Sequence, residues 1–383
     1  MSKRDRGQRG VLLSEVCRAL ERIAPAALAE EWDNVGLLAG DAGAPVRRVL
    51  VCIDLTSAVV DEAVGAGVEL IMAYHPPIFR PISRLHGHGT GTDAHVFRCV
   101  AGGIAVYSVH TALDAADGGT NDVLAGLCGV KKTQPIEYAE AGPQQCKVVV
   151  FVPAESADKV ASAMFDAGAG HIGDYDMCSY RLSGEGTFRG SECTSPTIGE
   201  AGRFERVAEL RIESIVLRSA VPGVIEAIRK SHPYEEPAFD VYPLVPEPTR
   251  GSGRYGDLPR PTTLGALARK LKKATAAECA QIVGDREQGV TRAVVCVGAA
   301  GSLPFRMRDA AGQGLAATDV IVTGEIRHHD ALTIRRHGCG AIALGHWASE
   351  HPALKPFADR LAAMLATLDV RVSTADEDPF TQV

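Results

Sequence analysis

Short apolar runs separated by amphipathic segments dominate the first 130 residues. Apolar runs at 46–55 (VRRVLVCIDL), 68–74 (VELIMAY) and 102–109 (GGIAVYSV) are typical of buried strands, and SAVVDEAVGAG at 57–67 predicts a helix that ends on glycine. Continuous apolar strands that alternate with helices favour a mostly parallel sheet covered on both faces. The pattern therefore predicts an α/β lobe over residues 1–135.

The same pattern returns near the C-terminus. RAVVCVG (292–298), DVIVTG (319–324) and GAIALG (340–345) are short apolar strands, so residues 250–383 are predicted to form a second α/β lobe of similar design. The first of these strands runs into VGAAGS (297–302), which matches neither G-x-G-x-x-G nor a Walker loop. Anion binding there is the less favoured interpretation.

The middle of the chain has a different pattern, predicted to be an inserted domain over residues 144–246. Its predicted elements follow the order β-α-β-β-α-β, which is the ferredoxin-like α+β arrangement. They are a strand at 145–153, a helix at 155–169, a hairpin-like segment at 179–190, a strand at 208–218, a helix at 221–231 and a strand at 237–244. Flanking segments 131–143 and 245–261 read as linkers because they are rich in proline, glycine and charge. The pair Glu235–Glu236 is interpreted as solvated loop charge.

Composition narrows the class of protein. A formal net charge of −7 over 383 residues argues against a general affinity for nucleic-acid backbones or anionic membranes. No apolar run reaches the roughly 18 residues of a membrane span, and the basic start at 1–10 leads into an amphipathic helix at 11–23. We therefore expect a cytoplasmic protein. Its 10 cysteines form no C-x-x-C pair, so they are expected to be buried thiols rather than a structural zinc site.

Histidines and carboxylates follow four of the predicted strands. In open α/β sheets, ligands bind outside the carboxyl ends of the strands, so these side chains are expected at one edge. In chain order they are His75, then His110 with Asp114, then Glu325 with His328 and His329, and finally His346 with Glu350.

Imidazole and carboxylate groups together suit zinc, manganese, iron or cobalt. His346 and Glu350, at i and i+4, lie on one face of a helix start, and Pro76–Pro77 fix the backbone after His75. Each feature alone is weak, because an H-x-x-x-E pair is more often solvated, and His328 and His329 could equally form a polar helix face. Their joint placement favours a metal site.

Residues 32–34, Trp-Asp-Asn, have two interpretations. The favoured one is a helix-capping turn with a packed indole. In the alternative, Asp33 or Asn34 contacts substrate at the metal edge.

Taken together, these motifs resemble those of the NIF3-like family, dinuclear metal centre proteins often labelled GTP cyclohydrolase 1 type 2 homologs. The resemblance covers both lobes. The segments that carry it are EEWDNVGLLAG (30–40), YHPPIFRP (74–81), SVHTALDAADGGTNDVLA (108–125), TGEIRHHDAL (323–332), GHWASE (345–350) and STADEDPF (373–380). HPYEEPAFDVYPL (232–244) resembles the PII- or CutA-like domain inserted in longer bacterial members.

The resemblance implies a ligand set and an assembly. It implies that two divalent metal ions are held by His75, Asp114, His346 and Glu350, with His110 close by. Many members have a second histidine where this chain has Tyr74, and a neutral tyrosine is a poor ligand, so one of the two metals could be weaker. The resemblance also implies a homohexameric toroid.

Two classes of function follow. In the first, the protein is a metal-dependent hydrolase of a small nucleotide-like or phosphorylated substrate, with Glu325, His328 or His329 moving the leaving-group proton. The alternative is a non-enzymatic, metal-containing hexamer with a regulatory or scaffolding role, whose inserted domain senses a small molecule.

Overall fold

The computed structural model describes residues 10–138, 145–172, 175–244 and 250–381. The chain divides into two compact units: Met1–Glu140 together with Pro248–Val383, and Ala141–Glu247. The basic start at 1–9, and linker residues 139–143 and 245–249, lie outside the described residues. Among the described residues, no helix has the length and apolar character needed to cross a bilayer.

The N-terminal part of the first unit alternates strands and helices as the sequence predicts. Its elements are β1 (Val11–Leu12), α1 (Leu13–Ile23), a 3₁₀ turn (Ala26–Leu28), β2 (Gly36–Ala39), β3 (Pro45–Val46), β4 (Arg48–Cys52), α2 (Ser57–Ala66), β5 (Leu70–Ala73), α3 (Thr92–Ala101), β6 (Ala105–Ser108), α4 (His110–Ala115), α5 (Thr120–Cys128) and β7 (Glu137–Tyr138). Helix α2 begins where Thr56 accepts a hydrogen bond from the Val59 amide and ends at Gly67, whose φ of +62° favours glycine.

The second unit has the order strand, helix, strand, strand, helix, strand. Its elements are β8 (Gln145–Pro153), a 3₁₀ turn (Ala154–Ser156), α6 (Ala157–Asp166), β9 (Ser179–Arg189), β10 (Phe204–Leu217), a 3₁₀ turn (Arg218–Ala220), α7 (Val221–Ser231) and β11 (Phe239–Leu244). The antiparallel sheet has the order β11-β8-β10-β9, the split βαβ arrangement. Alternate residues of β8 and β10, including Val150 and Ile212, are fully buried against α6 and α7.

The remainder of the first unit follows the second unit along the chain. Its elements are β12 (Gly251–Ser252), β13 (Arg254–Thr263), α8 (Leu264–Ala274), β14 (Gln281–Val283), β15 (Gly289–Ala299), α9 (Leu303–Arg306), β16 (Asp319–Glu325), α10 (His328–His337), β17 (Gly340–Ala343), α11 (His346–Glu350), a 3₁₀ turn (His351–Ala353), α12 (Leu354–Met364) and β18 (Asp369–Val372).

Two five-stranded sheets of related design form the first unit. One has the order β18-β4-β5-β6-β2 and the other β13-β15-β16-β17-β14. Each has consecutive parallel strands at its centre, and in each the third of these strands pairs with an antiparallel edge strand that precedes it in sequence. The mixed α/β fold expected from the sequence is confirmed.

The C-terminal segment differs from the expected arrangement. The sequence boundaries place everything from residue 250 onward in the second lobe, but β18 pairs parallel to β4 in the first sheet. Helix α12 buries Leu354, Phe357 and Leu361 in the same core as Leu13 and Val16 of α1. Burial of this apolar face brings the chain end back to the first lobe, a long-range pairing that local periodicity does not reveal.

Candidate metal centre

The first candidate ligand, His75, lies just beyond the carboxyl end of β5. Its backbone amide donates to the Ile53 carbonyl oxygen at 3.0 Å, which holds the residue against the end of the neighbouring strand. Its ring Nδ1 lies 3.0 Å from Oδ1 of Asp54. A carboxylate can only accept here, so Nδ1 carries a proton and Nε2 faces away from Asp54.

His110 follows β6 in the same way. Its Nδ1 lies 2.8 Å from Oδ1 of Asp33, whose side chain is fully buried. The other oxygen of Asp33 accepts from the Thr111 amide at 3.1 Å, so Asp33 also secures the start of α4. His110 has a φ of +22°, an unusual value for a residue with a side chain, and such strain is common at functional sites.

The second lobe supplies a third histidine with the same kind of partner. His346 begins α11 beyond the end of β17, and its Nδ1 lies 2.9 Å from Oε1 of Glu325 at the end of β16. The ring centroid of His75 is 5.4 Å from that of His346 and 5.3 Å from that of His110. The structure thus brings three histidines together at the carboxyl ends of both sheets, each oriented by a carboxylate.

Glu350 lies at the centre of this group. Its side chain is 3% exposed, its Oε1 lies 3.2 Å from Nε2 of His346, and its Oε2 lies 3.4 Å from Nε2 of His75. The second approach lacks hydrogen-bond geometry, and among the described residues Glu350 Oε2 has no hydrogen-bond partner. Ligand atoms of His75, His346 and Glu350 lie within 4.8 Å of one another, a spacing that suits a shared cation.

The electrostatics of this trio also fit a cation. Burial lowers the pKa of His75, but contacts with Asp54 and Glu350 outweigh it and raise that pKa to about 10. Contact with Glu350 raises the pKa of His346 to about 9, against the effect of burial. Burial would raise the pKa of Glu350, yet the two histidines hold it below its ordinary value. The surrounding carboxylates favour positive charge between these rings, which a divalent ion would also supply.

Asp114, in α4, is oriented by its neighbours. The Tyr74 hydroxyl donates to Asp114 Oδ1 at 2.5 Å, and the Thr120 hydroxyl donates to the same oxygen. No described donor bonds to the other oxygen, so Asp114 keeps a free acceptor. Burial raises the pKa of Asp114 to about 6, against the effect of those two hydrogen bonds. Tyr74 is 1% exposed, and here it positions a carboxylate.

Glycines make room for the centre. A Cβ on Gly298 would lie 2.4 Å from Glu350 Oε1 and 3.1 Å from His346 Nε2, and a Cβ on Gly324 would lie 2.9 Å from the His346 Cα. A Cβ on Gly119 would lie 1.8 Å from the Leu113 carbonyl oxygen, so the turn after Asp114 also requires glycine. The loop VGAAGS therefore packs directly against candidate ligands, a role that phosphate-loop patterns do not describe.

Two sequence-predicted residues stand apart. His328 and His329 are exposed at the start of α10, and their rings contact each other with centroids 5.4 Å apart. The hydrogen bonds and ion pairs described above for the centre include neither of them. Glu325, the third predicted proton carrier, contacts His346 instead.

One part of the interpretation of residues 32–34, the packed indole of Trp32, is wrong. Its side chain is 59% exposed and lies edge-on to Phe79 and His110, so it is not a packed indole. Asp33 contacts His110 and Thr111 from a distant part of the chain.

Sequence reasoning missed Asp54 entirely and did not connect Asp33 to His110. Asp54 had a usable signal, since it is an acidic residue directly after an apolar strand, the same position that singled out His75. The sequence alternative placed Asp33 at the metal edge, but its pairing with His110 had no local signal, because the two residues are 77 positions apart.

Comparison with known proteins now decides the family. The model of DUF34/NIF3 (NGG1p interacting factor 3) matches residues 11–379. The chain belongs to the DUF34/NIF3 family. A Mycobacterium tuberculosis relative of this family, named "GTP cyclohydrolase 1 type 2 homolog", is 38% identical over 377 residues, covering 97% of each chain.

Two solved structures agree with the fold. A Bacillus cereus protein related to NIF3 has a TM-score of 0.81 and 34% identity, covering 98% of this chain and 100% of its own. The Staphylococcus aureus protein SA1388 has a TM-score of 0.80 and 27% identity, with the same coverage.

Proposed function

We propose that this DUF34/NIF3 protein holds two divalent metal ions and acts as a metal-dependent hydrolase on a small nucleotide-like or phosphorylated substrate. The observation that carries the proposal is the repeated pair of histidine Nδ1 and carboxylate at His75, His110 and His346. Metal-bound histidines in proteins characteristically donate their other ring nitrogen to such a partner, and the pairing fixes the ring.

We propose His75, Asp114, His346 and Glu350 as the ligands, with His110 beside them. The donor set suits zinc, manganese, iron or cobalt. Oε2 of buried Glu350 has no hydrogen-bond partner among the described residues, and one oxygen of Asp114 is free. These two carboxylates are therefore the ones best placed to contact both ions. When bound, two such ions would lower the pKa of a water molecule and polarise the ester or phosphate that it attacks.

The chain's own residues would do the remaining work. Asp54 and Glu325 hold the rings of His75 and His346 with both Nε2 atoms next to Glu350, and Asp33 fixes the ring of His110 beside them. These rings therefore need little reorganisation during the reaction. For the leaving-group proton we propose Glu325, His328 or His329. The contact of Glu325 with His346 supports an orienting role for Glu325, so the two exposed histidines are the better candidates of the three.

Metal content and turnover test this proposal together. Metal per chain would be measured by inductively coupled plasma mass spectrometry in wild type, His346→Ala and a control, His88→Ala, which changes an exposed histidine outside the centre. The three proteins would then be assayed on nucleotides, phosphodiesters and GTP. We expect two metals per wild-type chain, and loss of metal and hydrolysis in His346→Ala alone.

A second candidate function is a non-enzymatic, metal-containing regulatory or scaffolding assembly with a small-molecule-sensing insert. A cavity of about 640 Å³ within the second unit favours it. For either function we propose a PII/CutA-like insert, a homohexamer and a cytoplasmic location. Metal without turnover on any substrate, together with a His346→Ala protein that loses assembly in analytical ultracentrifugation, would support the scaffold over the hydrolase.

A further inference from the structure

The second unit contains a cavity of about 640 Å³ on the face of its sheet opposite α6 and α7. Side chains alternate along a strand, so because Val150 and Ile212 pack against the helices, Phe151 and Arg211 point to the other face. The volume lies within the range of about 300–1,000 Å³ that is usual for small-molecule pockets.

Two glycines of β9 lie on the floor of the cavity. Leu182, Arg211 and Phe151 form one cross-strand row, and Gly184 faces Glu209 in the next. A Cβ on Gly184 would meet no atom within 4 Å, whereas a Cβ on Gly186 would lie 2.2 Å from Glu209 Oε2. The glycines therefore leave open space above the strand and let the Glu209 carboxylate lie across it.

Two loops form the walls and are bonded to each other. The Thr197 hydroxyl donates to the Pro233 carbonyl oxygen at 2.7 Å, and the Ser195 amide donates to Glu235 at 3.3 Å. Phe188 and Tyr234 pack with their ring centroids 6.5 Å apart. Aromatic rings over a glycine floor suit a thin, planar ligand.

The charge of the lining selects among planar ligands. Four glutamates and two arginines line the cavity: Glu185, Glu209, Glu235, Glu236, Arg189 and Arg211. Arg211 lies 2.8 Å from Glu213, which partly neutralises it. Glu185 and Glu236 are also paired, with Arg206 at 2.8 Å and with Arg229 at 3.8 Å. The remaining negative charge of Glu209 disfavours phosphates and carboxylates close to it.

Glu209 and the Tyr234 hydroxyl lie together in the lining. Burial and contact with Glu209 raise the pKa of Tyr234, and among the described residues the buried hydroxyl forms no hydrogen bond of good geometry. The cations Lys147 and Arg211 pair with Glu213 rather than with Glu209. The Glu209 carboxylate therefore keeps room for a second donor beside Tyr234.

We propose that this cavity is a binding site for a small planar aromatic molecule, neutral or cationic, whose amino or amidine group donates to Glu209. The ring lies on the glycine floor between Phe151, Phe188 and Tyr234, and the donor end reaches Glu209 and the Tyr234 hydroxyl. The site lies wholly within the second unit and does not depend on metal or on hydrolysis at the metal centre.

Isothermal titration of the full-length protein with benzamidine tests the charge and shape requirements. Benzoate, an anion of the same size and shape, and inorganic phosphate are the comparison probes. Glu209→Gln removes the proposed acceptor charge, and Gly184→Leu fills the open space with no clash at its Cβ. Matched controls are Glu226→Gln, which changes an exposed acid paired with Lys230 on α7, and Gly223→Leu, which changes a helical glycine that likewise has no atom within 4 Å of its Cβ.

We expect saturable benzamidine binding in wild type and both controls, at least tenfold weaker binding in Glu209→Gln, and none in Gly184→Leu. Benzoate and phosphate should bind at least tenfold more weakly than benzamidine. Absence of benzamidine binding to wild type, equal affinity for benzoate, or full affinity in Gly184→Leu would each overturn the proposal. The proposal would also fail if wild type did not bind benzamidine and Gly184→Leu formed an assembly of lower mass. The cavity would then be a subunit interface.

Discussion

The metal centre of the first unit and the cavity of the second unit are built on opposite principles. In the metal centre, each of three histidines has its Nδ1 fixed by its own carboxylate, so the ligand atoms are in place before anything binds. In the cavity, the Glu209 carboxylate and the Tyr234 hydroxyl lie together beside a floor of glycines. A site for a cation thus depends on a prearranged shell, whereas a site for a small organic molecule depends on open space and a few polar groups.

The largest effect on metal binding is expected at Glu350. Glu350→Gln removes the charge that both His75 and His346 face, and it leaves a poor metal ligand between them. Metal affinity, measured by competition with a chelator, should fall by more than the roughly 10- to 100-fold typical of losing an outer-shell partner. Glu226→Gln is the control. Unchanged metal affinity in Glu350→Gln would contradict the assignment of this residue as a ligand.

The three orienting carboxylates should show the next largest effect. Asp54→Ala and Glu325→Ala each free the Nδ1 of a proposed ligand, so each should weaken metal binding by about 10- to 100-fold without removing a ligand. Asp33→Ala frees the ring of His110, which lies beside the ligands, so its effect on metal binding should be smaller. Chelator competition on the three variants, beside Glu350→Gln, would rank them. If Glu325→Ala alone kept full metal affinity but lost turnover, Glu325 would be a proton carrier rather than an orienting residue.

The sequence predicted much of this arrangement because the relevant signals are local. Apolar runs indicated the parallel strands, and the residues after them indicated His75, His110, His346 and Glu350, since chain direction alone places strand ends at one edge. Asp33 and the return of β18 to the first sheet could not be predicted in this way, because both depend on pairings between distant segments.

The cavity was still less visible in the sequence. Phe151 and Arg211 of its lining alternate with the core residues of β8 and β10, and its acidic residues look like ordinary solvated charge. The prediction that Glu235–Glu236 is solvated loop charge agrees with the exposure of both residues, but only the fold shows that the pair also lines the cavity.

A glycine substitution tests how tightly the metal centre is packed. Gly298→Ala puts a methyl group 2.4 Å from Glu350 Oε1 at a φ of +58°, so we expect a stability loss of about 1–3 kcal/mol and weaker metal binding. Gly301→Ala is the matched control, because its φ is +55° but its Cβ would meet no atom within 4 Å. Thermal unfolding of both variants separates backbone strain from the clash. Equal losses would mean that the loop is not packed against the ligands as described.

A smaller effect is expected at Tyr74. Tyr74→Phe removes one of the two hydroxyl donors to Asp114 Oδ1, while the Thr120 hydroxyl remains. We expect a loss of about 1 kcal/mol in metal binding free energy, the net contribution of a typical hydrogen bond. Tyr107→Phe, at a buried tyrosine of β6, controls for general effects on the core. A much larger loss of metal would mean that Tyr74 is itself a ligand.

The smallest effect is expected from pH, and it concerns the second unit. His232 is 8% exposed, its Nδ1 accepts from the Tyr234 amide at 3.0 Å, and its Nε2 donates to the Phe151 carbonyl oxygen at 2.9 Å. Burial lowers the pKa of His232, so folding favours the neutral ring. Its contribution to stability is therefore present above the ordinary histidine pKa of about 6.5 and is lost as pH falls through the folded-state pKa.

Nuclear magnetic resonance titration of the His232 ring, with thermal unfolding from pH 5 to 8, would measure this loss. A His232→Gln variant should lose that part of the pH dependence. Because His232 holds the Tyr234 amide and the Phe151 carbonyl, acid should also weaken benzamidine binding in the cavity. If binding of benzamidine were instead unchanged while the His232 ring became protonated, the cavity wall would not depend on this histidine. The cavity wall would then be as firmly fixed as the metal centre, and the contrast between the two sites would not hold for this wall.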